Sequence, residues 1–271
     1  MNNYKLIACD LDGTLIGSDL TLSKENYQAI KELTEQGVLI VPTTGRTICE
    51  MEDVFNLPEI RYVIYSNGAA IFDKQTGEKI FLGLDDSSSR FVSEVLEKYD
   101  VFTVIHKDGK TYADKEKAQR LYEYHVCLNV ECLVKDVCIL EENFKNRFLD
   151  GGIESVAIFF ASKDEMEECR EIIASNPDLY AVEGWDYNME IFFRDAGKGN
   201  ALKKLVKKLN IEMKNVISIG DSDNDRQMTI LSGLGLVAQN GCESLKKVAD
   251  KVICTNDEHV MSYVKKYYFD K

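Results

Sequence analysis

Four short apolar runs, each stopping abruptly at polar residues, set the rhythm of this chain. Leu6-Ile7-Ala8-Cys9 ends at Asp10, and Val38-Leu39-Ile40-Val41 at Pro42-Thr43-Thr44. Tyr62-Val63-Ile64-Tyr65 ends at Ser66-Asn67-Gly68, and Val216-Ile217-Ser218-Ile219 at Gly220-Asp221. Runs that are apolar throughout read as strands covered on both faces, as in parallel sheets. Helical patterns separate the first three. After Thr21-Leu22-Ser23 the residues Tyr27, Ile30 and Leu33 share a face that stops at Gly37, and helix-like sequence resumes from Thr47 to Phe55. This alternation predicts an α/β fold with a Rossmann-like parallel sheet.

The alternation stops near residue 70. Ala69–Phe72 and Lys79–Leu82 read as a hairpin, Ser87–Tyr99 as a helix, and Val101–Ile105 with Lys110–Tyr112 as a second hairpin around Asp108-Gly109. A helix over Lys115–His125, strands at Cys132–Leu140 and Ser155–Phe160, and a helix over Lys163–Ala174 follow. Strands at Leu179–Glu183 and Asn188–Phe193 bracket Trp185, the single tryptophan. These residues predict an α+β domain over 84–190, inserted into a core made of 1–83 and 191–271. The alternation then returns, with a helix over Ala201–Leu209, the fourth apolar strand, and short strands at Gly235–Val237 and Lys251–Ile253.

The totals narrow the function classes. With 271 residues, 45% hydrophobic and 29% charged, the chain can bury a sizeable core. No apolar stretch reaches the roughly 18 residues of a membrane span, and Met1-Asn2-Asn3-Tyr4-Lys5 lacks the layout of a signal peptide. A cytoplasmic protein with no membrane partner is expected. The net charge of −13 argues against nucleic acid. A small anionic substrate stays open, because a metal ion and a few basic groups can reverse the sign in one pocket. The eight cysteines read as small buried strand residues rather than disulfides. Cys127, Cys132 and Cys138 with His125 lack the C-x2-C spacing of a zinc site.

Chemistry gathers at the strand ends. Asp10 and Asp12 are two apart, so in an extended segment both face one substrate. Thr44-Gly45 offers a hydroxyl and backbone N–H groups at a helix start, a setting for a phosphoryl group or for a plain N-cap. Asp221 and Asp225 follow the fourth strand. Parallel strand ends converge on one site, and four carboxylates brought together there require a cation. Hard oxygen ligands favour Mg2+. Lys198, between Gly197 and Gly199, can reach inward or sit as a surface charge. Arg46 suits either a phosphate contact or a salt bridge, and Lys203, Lys204, Lys207 and Lys208 form the wet face of a helix.

Asp10-Leu11-Asp12-Gly13-Thr14-Leu15, Thr44-Gly45-Arg46, Ser66-Asn67-Gly68-Ala69, Lys198-Gly199 and Gly220-Asp221-Ser222-Asp223-Asn224-Asp225 together resemble the ordered motifs of the haloacid dehalogenase-like phosphatases. The insertion resembles the α/β cap of the Cof-type subgroup, which sets substrate specificity. The resemblance implies Asp10 as nucleophile, giving an aspartyl-phosphate, and Asp12 as general acid and then base. It implies Mg2+ on the Asp10 carboxylate, the Asp12 main-chain carbonyl and Asp221, with Asp225 in support. Thr44, Gly45 and Lys198 would bind phosphoryl oxygens, and Asn224 would orient the loop or touch substrate. Two positions depart from the family pattern: Ser222-Asp223 in the acidic loop, where glycine is common, and Gln239, where methionine is frequent. The implied enzyme is a phosphomonoesterase acting on sugar phosphates or phosphorylated cofactors, as a monomer or weak homo-oligomer. A phosphosugar mutase of the same superfamily and a non-catalytic phosphometabolite sensor are the alternatives.

Overall fold

The computed structural model describes residues 4–184 and 186–270. Trp185 lies outside them. The strands in chain order are β1 (Leu6–Cys9), β2 (Leu39–Pro42), β3 (Tyr62–Tyr65), β4 (Ala70–Asp73), β5 (Lys79–Phe81), β6 (Val101–Lys107) and β7 (Lys110–Asp114). They continue as β8 (Ile139–Glu141), β9 (Ile153–Phe160), β10 (Leu179–Val182), β11 (Asn188–Phe193), β12 (Val216–Gly220), β13 (Leu234–Val237) and β14 (Lys251–Val252). No helix among the described residues is long and apolar enough to cross a membrane.

The chain divides into two compact units. The first comprises residues 1–46, 51–80 and 197–271, and the second 47–50 and 81–196. In the first, β14-β13-β12-β1-β2 form a parallel sheet with β1 flanked on both sides. Cys9 pairs with Ile219 on one side and Pro42 on the other. The residues that follow, Asp10, Gly220 and Thr43, therefore leave the sheet level with one another. Strands β1, β12 and β3 are wholly buried, which explains their unbroken apolar sequence.

The third apolar run does not extend that ladder. β3 belongs to a separate sheet, β3-β4-β5, and meets β2 only through a parallel bridge of Thr43 with Ile64. The reason lies in Pro42. Leu39 and Thr43 donate their N–H groups to Lys5 and Cys9 on the β1 side, while Thr44 donates to Ile64 on the other. Even-numbered positions of β2 thus face β3, and Pro42 has no N–H to offer there.

The second unit is a six-stranded sheet in the order β10-β11-β9-β6-β7-β8. Alternation along β6 sends Val101 and Ile105 to a core shared with the helices Asp86–Leu96 and Lys163–Ala174. Phe102 and Val104 point the other way, onto Tyr124, Val130 and Val134. The expected limits at 84 and 190 fall inside this unit, because β11 runs to Phe193 in register with β10.

Three local expectations are corrected. Cys132–Leu140 is not a strand: a helix covers Leu128–Asp136 and only Ile139–Glu141 is extended, since Val130 and Val134 are four apart and both fill the core. Lys115–His125 is not an α-helix but 3-10 turns over Lys117–Tyr124, interrupted at Arg120 (φ −126°). The run Thr47–Phe55 breaks at Met51 (φ −134°) into a 3-10 turn, Ile48–Glu50, and a helix, Glu52–Phe55. The first piece packs with the second unit, where Cys49 N–H donates to Gly109 O and the Thr111 hydroxyl to Glu50 at 2.6 Å. Nor are the cysteines uniformly buried. Cys9 and Cys169 are, but Cys132 is an exposed helix residue.

The small sheet carries a charge pair of a buried carboxylate and an exposed guanidinium. Asp73, 4% exposed, accepts from Arg61 Nε (3.1 Å) and Nη2 (3.0 Å) and from the Gln75 N–H (2.9 Å). The Arg61 guanidinium holds its carboxyl down at about 2, from an ordinary 3.8. Asp73→Ala is expected to lower stability at pH 7 by about 1–3 kcal/mol, read by urea unfolding. Because the folded carboxyl is depressed, that stabilisation is complete above the ordinary pKa and lost as the pH falls through the folded value. The difference between variant and wild type should therefore shrink below about pH 4 and be lost only below about pH 2.

Candidate active site

The site is built where β1 and β12 end. Asp10 N–H still donates to Ile219 O at 3.0 Å, so Asp10 continues the ladder for one residue. The chain then turns through Leu11–Leu15, with Gly13 at φ +69°. A Cβ on Gly13 would stand 2.7 Å from Asp221 Oδ2, so only glycine lets the two loops approach. The turn is tied down from three sides: Leu15 N–H to Asp10 O, Thr14 Oγ1 to Asp221 Oδ1 (3.1 Å), and Asn240 Nδ2 to Gly13 O (2.7 Å).

Lys198 lies at the centre. It opens the helix Lys198–Lys208 and is buried, as are Asp10 and Asp225. Its Nζ donates to Asp10 Oδ1 at 2.6 Å and Asp225 Oδ1 at 2.7 Å. The second Asp225 oxygen accepts the N–H groups of Asp221 (3.0 Å) and Ser222 (3.2 Å). Burial works against the lysine's charge, but the Asp10 and Asp225 carboxylates outweigh it and hold the ammonium above its ordinary range. Burial raises Asp10 well above the usual carboxylate range, with Lys198 opposing, and it raises Asp221, with Asp225 adding to the effect.

Asp10, Asp221 and Asp225 each present an oxygen within 4.8 Å of the others, the one group of potential metal ligands found among the described residues. Counted as ionised, three carboxylates (−3) and Lys198 (+1) leave −2, which one divalent cation neutralises. The all-oxygen donor set suits a hard ion such as Mg2+.

The predicted residues are not all placed as expected. The strand ends at Cys9, so the turn, and not strand alternation, sets Asp12 relative to Asp10. The Asp12 side chain is exposed and outside the three-carboxylate group. Arg46 grips it with two bonds, Nε to Oδ2 at 2.8 Å and Nη2 to Oδ1. Thr44 is buried, and its hydroxyl accepts the Arg46 N–H at 3.1 Å, a tight turn of its own rather than a helix cap. The Gly45 N–H donates to no described group. Lys198 faces carboxylates, and its lysine neighbours at 203, 204, 207 and 208 are exposed or half-exposed on the wet face of their helix.

The departures in the acidic loop now have contacts. Ser222 Oγ donates to Asn224 Oδ1 at 2.8 Å, which orients that amide. Asp223 turns away from the cluster and accepts from Ser244 Oγ at 2.5 Å. Asn224 Nδ2 donates to Asn67 Oδ1 at 3.0 Å. Asn67, Thr14 and Asn240 were not assigned from sequence. For Asn67 the available signal was its place at an apolar strand end.

This fold and cluster define a hydrolase of known architecture: residues 7–264 match the haloacid dehalogenase-like hydrolases, and the chain belongs to that family. It is similar to the phosphatase YwpJ of Bacillus subtilis (strain 168), with 32% identity over 97% of this chain and 99% of that one. The 5-amino-6-(5-phospho-D-ribitylamino)uracil phosphatase YwtE of the same organism is 26% identical, with 96% of each chain covered. The solved structure of a haloacid dehalogenase-like hydrolase from B. subtilis superposes with a TM-score of 0.78 at 28% identity, covering 98% of this chain and all of that one.

Removing the central ammonium should expose the repulsion it balances. Lys198→Met is expected to cost about 3–5 kcal/mol of stability in urea unfolding with chelator present. Adding Asp225→Asn should recover part of that loss, because one buried charge is removed.

Proposed function

We propose that this haloacid dehalogenase-like hydrolase is a Mg2+-dependent phosphatase of small phosphorylated metabolites, acting through an aspartyl-phosphate. The observation that carries the reading is the buried Asp10–Lys198–Asp225 contact beside Asp221. It gives an oriented carboxylate at a site of net negative charge, which an anionic substrate can approach only with a cation. Asp10, Asp221, Asp225 and the Asp12 main-chain oxygen would hold Mg2+, which when bound neutralises phosphate charge.

In this reading Lys198 pins one Asp10 oxygen and favours the ionised, nucleophilic carboxylate against the burial that opposes it. Asp10 attacks phosphorus in line. An Asp10 oxygen–phosphorus bond forms as the bond to the leaving oxygen breaks. Asp12 serves the leaving oxygen: its two-bond contact with Arg46 favours the carboxylate, so that contact opens for a protonated Asp12 to give its proton to the departing alkoxide. The resulting carboxylate then takes a proton from the water that attacks phosphorus as the Asp10 oxygen–phosphorus bond breaks. Thr44, the Gly45 N–H, Lys198 and Asn224 bind the phosphoryl oxygens. The second unit would act as the cap that selects the leaving group.

A relative named for a ribityl phosphate, with a free polyol chain, supports sugar and polyol phosphates as one substrate class. Phosphorylated cofactors are the other. Nucleic acid and membranes are not substrates in this reading, and the enzyme works as a cytoplasmic monomer or weak homo-oligomer.

With p-nitrophenyl phosphate and Mg2+, the wild type should release phosphate, and Asp10→Asn should lose on the order of 10^3-fold or more in kcat. EDTA should abolish turnover and added Mg2+ restore it. Full activity in either case overturns the reading. On hexose 1-phosphates, accumulation of isomer without free phosphate would identify a mutase instead.

A further inference from the structure

The loop after β3 takes no part in the steps above, yet its backbone is held in an uncommon conformation. Ser66, Asn67 and Gly68 are all left-handed, with φ +48°, +52° and +86°. Two successive non-glycine residues in that region are unusual, and asparagine is among the side chains that tolerate it best. The loop is wedged between two segments of the site. Ser66 N–H donates to Arg46 O and Asn67 N–H to Thr44 O, both at 2.9 Å. On the other side, a Cβ on Gly68 would collide with the backbone of Gly197 and Lys198.

The Asn67 side chain lies against Gly45: a Cβ there would stand 3.2 Å from both Nδ2 and Oδ1. Its orientation follows from a chain of bonds. Ser222 Oγ donates to Asn224 Oδ1, so the Asn224 amino group is the one that faces Asn67 and donates to its Oδ1. The Asn67 Nδ2 group remains, half-buried and without an acceptor among the described residues. It lies beside Gly45, whose own N–H donates to no described group. Two neighbouring donors thus lack acceptors at the edge of a carboxylate cluster.

We propose that Asn67 is a phosphate-binding residue: its Nδ2 group and the Gly45 N–H together donate to one oxygen of the phosphoryl group. The assignment rests on the reading of this cluster as a phosphoryl site. A purely structural role would need only the left-handed backbone and an acceptor for Asn224 Nδ2. Two variants separate the roles. Asn67→Gly keeps the backbone and deletes the amide. Asn67→Asp keeps the shape, the left-handed preference and the acceptor, but replaces the donor with an anionic oxygen.

Calorimetric titration of the full chain with inorganic phosphate, in the presence of Mg2+, reads binding without turnover. Asn67→Gly should weaken Kd about tenfold or more, and Asn67→Asp on the order of a hundredfold, with matching rises in KM. Melting temperatures should stay close to wild type. If Asn67→Asp does not fold, the glycine variant decides. Variants that bind phosphate within twofold of wild type overturn the assignment while leaving the phosphatase reading intact. A wild type that binds phosphate but hydrolyses no ester overturns the phosphatase reading, and the Kd series still decides Asn67. No phosphate binding by the wild type overturns both.

Discussion

A single buried ammonium, that of Lys198, is the contact on which the rest of this site depends. It joins residues 188 and 27 positions away in sequence, Asp10 and Asp225, at 2.6 and 2.7 Å. Taking three charges out of water costs several kcal/mol each, and only close pairing with further hydrogen bonds compensates. The structure meets that condition. The lysine is shared by two carboxylates, and the free oxygen of Asp225 takes two backbone N–H groups. The remaining imbalance, one negative charge near Asp10 and one at Asp221, is a physical reason to expect a divalent cation.

That contact can form only because glycines around it admit close neighbours, side chain or backbone. Gly13 stands where a side chain would meet Asp221, Gly220 where one would meet Asp225, and Gly68 where one would meet Gly197. The loops are then locked by side-chain hydrogen bonds. Thr14 braces Asp221, Asn240 braces the Gly13 turn, and Arg46 holds Asp12. The two acids thereby acquire different surroundings, one buried on an ammonium and the other exposed on a guanidinium.

The departures in the acidic loop fit the same scheme. Ser222 spends its hydroxyl on Asn224, and Asp223 is drawn off to Ser244 at the start of the helix Glu243–Lys246. The extra carboxylate is therefore engaged away from the cluster, to which the loop contributes Asp221 and Asp225 beside Asp10.

The sequence by itself determined the α/β class, the interruption after β5 and the convergence of Asp10, Asp221 and Asp225. Each follows from a local rule: unbroken apolar runs are doubly covered strands, and parallel strand ends share an edge. It also fixed Lys198 between glycines, though not what that lysine faces. Only the tertiary structure decided that β3 leaves the main ladder at Pro42, that residues 47–50 pack with the second unit, and that Cys132 lies on a helix. Each of these depends on which surface a short segment buries, a choice made by partners distant in the chain. The same holds for Asn67. Its left-handed backbone and the orientation of its amide exist only because Thr44, Arg46 and Asn224 surround it, and no spacing within the sequence encodes that neighbourhood.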